Sequence, residues 1–72
     1  MKSVLILINK YLLHNDLFSE VLEVGGNNSF CRVKMPIGVE NFALIDTIKR
    51  HSKVKATLTV KNNIATIKFR SK

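Results

Sequence analysis

Tryptophan is absent from the 72 residues, and cysteine and proline each occur once. The lone Cys31 excludes an intrachain disulfide and with it the disulfide-stapled secreted scaffolds of this size. Long apolar runs are also missing. The longest, Val4 to Ile8, is five residues and stops at Asn9 and Lys10, whereas a membrane-spanning helix needs ~20. Nor is there the longer apolar centre with small residues at a cleavage site that marks a secretory signal. These absences point to a reducing, intracellular setting, the cytoplasm or an organelle, with no membrane span.

Acidic residues are scarce. There are 5 Asp+Glu against 12 Lys+Arg, giving a formal net charge of +7 and a pI near 10.0. Yet 46% of the chain is hydrophobic, too apolar for a disordered basic tail. The length fits one domain over residues 1–72, with a thin core, since folding at this size buries only ~60% of the unfolded surface. Lys outnumbers Arg nine to three, and Asn and Ile occur seven times each. That bias accompanies AT-rich coding, as in an AT-rich microbe, a phage or an organelle genome.

The scarce acids are also segregated. Residues 1–46 hold four basic and five acidic residues, net −1, while residues 47–72 hold eight basic and no acidic ones, net +8. A surface that needs only solubility mixes its signs. One-sided positive charge instead attracts a polyanion, through its field and through counterion release.

The hydrophobic pattern predicts a small α+β domain in the order helix, β-hairpin, helix, β-hairpin, with an antiparallel sheet packed by one or two helices. Val4 to His14 reads as a helix with Ser3 as N-cap, Asn15 as stop and His14 capping the last turn, although β-branched Val4, Ile6 and Ile8 also permit a strand. Apolar residues cover most of its circumference, so it must be buried on several sides or face a partner. Phe18 to Val24 alternates loosely and meets the turn cluster Gly25-Gly26-Asn27-Asn28. Phe30 to Met35 follows as a strand, with Cys31, Val33 and Met35 on one face and Phe30, Arg32 and Lys34 on the other; Pro36 and Gly38 end it. Val39 to His51 is the second helix, with a predicted apolar stripe of Phe42, Ile45 and Ile48 broadened by Ala43 and Leu44. Glu40 in its first turn and Lys49, Arg50 and His51 in its last suit the helix dipole, and Asp46 can pair with Arg50.

The last hairpin is the most specific element. Val54 to Val60 and Ile64 to Arg70 flank Asn62-Asn63, two residues that tolerate positive φ. Closing the turn there sets Val60 opposite Ala65, Leu58 opposite Ile67 and Ala56 opposite Phe69, an all-apolar face completed by Val54. The opposite face carries Lys55, Thr57, Thr59, Lys61, Ile64, Thr66, Lys68 and Arg70. One register therefore buries the core and gathers cations with hydroxyls outside. Lys and Arg neutralise phosphates, and Thr hydroxyls donate to phosphate or ribose oxygens. This hairpin face has no aromatic residue, which favours backbone and shape recognition over base stacking. A solvated sheet surface also carries Lys and Thr, so composition alone does not decide its role.

No constellation for catalysis is present. His-x-x-x-His, Cys-x-x-Cys and a glycine-rich phosphate loop are all absent, which leaves no motif for a metal, a nucleotide cofactor or a small-molecule substrate. Cys31 falls on the apolar side of its strand and reads as a core thiol. His51 lies in the basic helix end, within reach of a phosphate.

The run Phe30-Cys-Arg-Val-Lys-Met-Pro36, the helix through Leu44-Ile-Asp-Thr-Ile48 and the hairpin Val54 to Phe69 together form strand, proline, helix and β-pair. Leu7-Ile-Asn-Lys-Tyr-Leu12 matches a preceding short helix. In this order the chain resembles the N-terminal domain of the eighth small-subunit ribosomal protein family. The segment Phe18 to Asn28 has no counterpart there, and the family's C-terminal domain, with its Ser/Thr- and Gly-rich RNA-contact motif, has none in this sequence. The resemblance implies an rRNA-binding component in a reduced, organellar form, and it carries over no individual binding residue.

The residues thus predict a non-enzymatic protein that binds structured RNA, with neighbouring proteins of a larger assembly as further partners. Candidate phosphate contacts are Lys49, Arg50 and Lys53 at the helix end, and Lys55, Lys61, Lys68, Arg70 and Lys72 on the hairpin. Two other readings remain open at this stage: a protein-interaction module, such as a phage-encoded inhibitor or a small subunit, and a duplex-DNA binder.

Overall fold

A computed structural model describes residues 4–26 and 30–71. Ser3, Asn27, Asn28 and Lys72, each assigned a part above, lie outside the described residues. The elements are α1 (Val4–His14), β1 (Glu23–Gly26), β2 (Phe30–Pro36), α2 (Val39–His51), β3 (Val54–Lys61) and β4 (Ile64–Ser71). The four strands form one antiparallel sheet in the order β1-β2-β4-β3. The α+β class and the alternation of helices with hairpins are as the pattern predicts.

The β3–β4 register is the predicted one. Lys61 faces Ile64, Val60 faces Ala65, Leu58 faces Ile67 and Ala56 faces Phe69. Asn62 and Asn63 turn the chain with φ of 53° and 64°, both left-handed, as a two-residue hairpin turn requires. The Ile37 amide donates to the Asn63 carbonyl at 3.0 Å and so ties this turn to the chain leaving β2. On its other side β4 pairs with β2 along its length, from Phe30 opposite Arg70 to Pro36 opposite Ile64.

Both helices contribute to a core on one face of the sheet. Val4, Ile8 and Leu12 of α1 and Leu44 and Ile48 of α2 meet Cys31, Val33, Met35, Val54, Ile67 and Phe69, all buried. Val4, Ile8 and Leu12 are buried while Ile6 between them is 63% exposed, which is the stripe of a helix and not the strand its β-branched residues permit. Its end is closed by the chain beyond His14. Asp16 adopts a left-handed φ of 57° and donates its amide to Leu13, while the Leu17 amide reaches back to the Leu12 carbonyl at 2.9 Å. The Asn15 side chain donates to the Tyr11 carbonyl at 2.9 Å, so Asn15 and its successors take the capping part assigned to His14, which is exposed.

Two further expectations are corrected. The stretch from Phe18 to Val24 is not a strand throughout: Phe18–Glu20 is a 3-10 turn, and β1 begins at Glu23 and runs through both glycines. The Leu17 anchor, buried in the core, and the Glu20 amide bonded to the Leu17 carbonyl hold this segment curled until the Leu22 amide meets Lys34. The second correction concerns α2. Phe42, placed in the apolar stripe, is 60% exposed, and the buried line is Asn41, Leu44 and Ile48. A polar clamp sets this rotation. The Asn41 Oδ1 accepts from the Gly38 amide at 2.9 Å, and its Nδ2 donates to the Pro36 carbonyl at 3.2 Å. Asn41 is fully buried with both ends satisfied, so turning α2 to bury Phe42 would break both bonds.

Gly26 lies where the backbone of β2 comes close to β1. Its φ is +136°, and a Cβ there would lie 2.2 Å from the Phe30 carbonyl oxygen and 2.6 Å from the Cys31 Cα. Neighbouring Gly25 has open space around it. Gly26→Ala should therefore cost about 3 kcal/mol through backbone strain, while Gly25→Ala stays within about 0.5 kcal/mol. Urea unfolding of the two variants checks this, and equal losses would contradict the assigned geometry.

Candidate nucleic-acid interface

The side of the sheet away from the helices is open, and the strand registers place its residues in rows. Phe30, Arg70 and Lys55 form one row across β2, β4 and β3. Arg32, Lys68 and Thr57 form the next, then Lys34, Thr66 and Thr59, and finally Pro36, Ile64 and Lys61. Six cations thus share one surface with three threonine hydroxyls. Among the described residues the one carboxylate on this face is Glu23 of β1, opposite Lys34. It meets Arg32 at 3.3 Å and Lys34 at 3.8 Å and moderates the β2 edge of the field. Among the described residues Lys55, Lys61, Lys68 and Arg70 form no ion pair.

The rows set like charges beside one another: Lys55 faces Arg70 and Arg32 faces Lys68. Like charges directly opposite across a sheet destabilise it by several tenths of a kcal/mol. Glu23 offsets this for Arg32, whereas the Lys55–Arg70 pair has no acid partner among the described residues.

The candidate residues chosen from sequence fall into two groups. Lys55, Lys61, Lys68 and Arg70 share the open face with exposed side chains. Lys49 and Arg50 are exposed on the last turn of α2, which packs on the opposite side of the sheet, and exposed Lys53 lies in the link to β3. Arg50 is held by Asp46 at 3.1 Å, the predicted i,i+4 pair. Lys72 lies outside the described residues.

Sequence reasoning left Arg32 and Lys34 out of the candidate set, although their alternation with Cys31, Val33 and Met35 already placed them outward. What it lacked was the pairing of β2 with β4, which joins them to the hairpin. The same pairing brings half-buried Phe30 onto the face. The lack of an aromatic ring thus applies to the hairpin and not to the whole surface.

Elsewhere, a groove of about 380 Å³ separates the C-terminal ends of the helices, lined by Leu7, Lys10, Tyr11, His14, Thr47 and His51 among others. It joins the two histidines, which the sequence offered separately. Among the described residues no three His, Cys, Asp or Glu side chains are grouped to hold a metal ion. Cys31 is buried in the core, and desolvation pushes its thiol pKa up, which disfavours the thiolate a nucleophile needs. No helix among the described residues is long and apolar enough to cross a membrane.

Comparison with family models, curated proteins and solved structures returns no match. The chemistry of the open face therefore carries the functional reading. If its charges repel as the register implies, Lys68→Glu should stabilise the free protein by up to about 1 kcal/mol by facing Arg32. A loss of that size in urea unfolding would show that Lys68 serves stability instead.

Proposed function

We propose that this protein is a non-enzymatic RNA-binding component of a ribosome or another ribonucleoprotein, laying the open face of its sheet against the phosphates of a structured RNA. The observation that carries the reading is the register-enforced crowding of Lys55 against Arg70 and of Lys68 against Arg32, with Glu23 on Arg32 as the one acid partner of these four among the described residues. A polyanion relieves that repulsion and releases its own counterions in doing so. Thr57, Thr59 and Thr66 lie between the cations, where hydroxyls can donate to phosphate oxygens and exchange hydrogen bonds with ribose 2′-hydroxyls. That pairing of groups favours RNA over DNA. Lys49 and Lys53, away from the face, are suited to a second strand or a neighbouring helix of the same RNA. The resemblance to the eighth small-subunit ribosomal protein family supports the ribosomal form of the proposal.

A protein partner is the second reading, and the helical side favours it. Ile6 and Leu13, seven residues apart on α1, are 63% and 68% exposed, and Val39 and Phe42 on α2 are exposed too. In an assembly such residues face neighbouring proteins while the sheet faces RNA. An obligate oligomer that purifies without nucleic acid would favour the interaction module over the RNA-binding component.

Affinity for a structured RNA, measured against salt, tests the main proposal. Lys55, Lys61, Lys68 and Arg70 should give a log–log slope of about −2.8 to −3.6, and Lys68→Ala should reduce its magnitude by about 0.7–0.9. A slope near zero, or one that Lys68→Ala leaves unchanged, would contradict phosphate binding by this face. A DNA duplex of the same length bound equally well would assign the face to phosphates alone and overturn the preference for RNA.

A further inference from the structure

The open face is not uniform. At the end nearest the Asn62-Asn63 turn it sinks into a depression of about 350 Å³, lined by Leu22, Lys34, Lys61, Asn62, Ile64 and Thr66. Its chemistry differs from that of the rows beside it. Ile64 is half-buried at the centre of its row, between Pro36 and Lys61, and Leu22 adds an aliphatic wall that is 62% exposed. Lys34 and Lys61 come from β2 and β3, the strands on either side of β4. Two strand spacings and a two-residue offset put their backbones about 12 Å apart, so Lys61 borders the depression from one side and Lys34, drawn toward Glu23 of β1, from the other. The Thr66 hydroxyl and the Asn62 amide supply neutral donors and acceptors at the rim.

A shallow apolar floor bordered by cations and a few polar groups suits a ligand with a flat apolar surface and an attached anion. Phosphates of a continuous duplex need no such floor, because a duplex keeps the faces of its bases stacked inside. A nucleotide whose base is unstacked presents both features at once.

We propose that this depression holds one unpaired nucleotide of the bound RNA, its base against Ile64 and Leu22 and its phosphate on Lys61. The proposal rests on the RNA-binding reading and adds a substrate class to it: RNA with a loop or bulge, rather than uninterrupted duplex. The Glu23 carboxylate, 3.8 Å from the Lys34 amine, holds that lysine at the β1 side of the site. Lys61, with no ion pair among the described residues, supplies the less compensated charge.

The test compares the full chain binding to a labelled RNA hairpin with a single-stranded loop and to the blunt duplex of the same stem. Ile64→Thr keeps a β-branched residue in β4, and Leu22→Ser changes an exposed residue before β1, so both should fold. Each should weaken hairpin binding roughly five- to tenfold, the scale of one lost base contact, with duplex binding changed less than about twofold. Lys68→Ala should weaken both RNAs alike. If Ile64→Thr and Leu22→Ser leave hairpin affinity unchanged, or lower both RNAs equally, the nucleotide site is wrong while phosphate binding by the face stands. If the wild-type chain binds neither RNA, the RNA-binding reading falls and the site with it.

Discussion

The alternation of side chains along β4 is the constraint on which the rest of the structure depends. This strand is paired along its length on both sides, with β2 and with β3. Ala65, Ile67 and Phe69 point into the core and are fully buried, while Thr66, Lys68 and Arg70 lie on the open side. A slip of one residue would expose the first set and bury the cations, so hydrophobic burial is what forces the charges outward together. The electrostatic cost of crowding Lys55 against Arg70 is tenths of a kcal/mol, whereas fully burying Phe69 alone gains ~2–3 kcal/mol. The core therefore wins, and the charge pattern follows from it.

Smaller devices carry that constraint to the rest of the chain. The Asn62-Asn63 turn sets the β3–β4 register, and the Ile37 amide on Asn63 fixes where the chain leaves β2. Asn41 then bonds both Pro36 and Gly38 and so decides which line of α2 meets the sheet. At the other end, the absence of a Cβ at Gly26 lets β1 close on β2 and brings Glu23 to Arg32 and Lys34. Each device is local, yet together they place both helices on one side and leave the other side open.

This division explains what could be read from the amino acids. The register of the last hairpin was legible because period-2 alternation, an Asn-Asn turn and an all-apolar face agree on it, although each strand runs one residue further than expected. Both helices were legible in extent, and α2 was misread in rotation. Phe42 outweighs Asn41 on any hydrophobic count, but a buried amide with two backbone partners overrides that preference. The span from Phe18 to Val24 was misread because a helix cap that buries Leu17 leaves no signal in strand alternation. The cationic face was half legible. Lys55, Lys61, Lys68 and Arg70 follow from local pattern, whereas Arg32, Lys34 and Phe30 join them through a β2–β4 pairing between segments far apart in sequence. The depression around Ile64 depends on the same long-range pairing and could not be seen from the hairpin alone.

Beyond the fold, the two sides of the molecule divide in chemistry. The sheet offers cations, hydroxyls and one recessed apolar spot; the helices offer Ile6, Leu13, Val39 and Phe42. The most direct test of the proposed RNA contact is a titration of the full chain with a structured RNA, followed by backbone amide chemical shifts. The open-face assignment predicts the largest changes in residues 30–36, 54–61 and 64–70, with the exposed flank of α1 little affected. Changes concentrated around Ile6, Leu13 and Phe42, with the sheet silent, would contradict it.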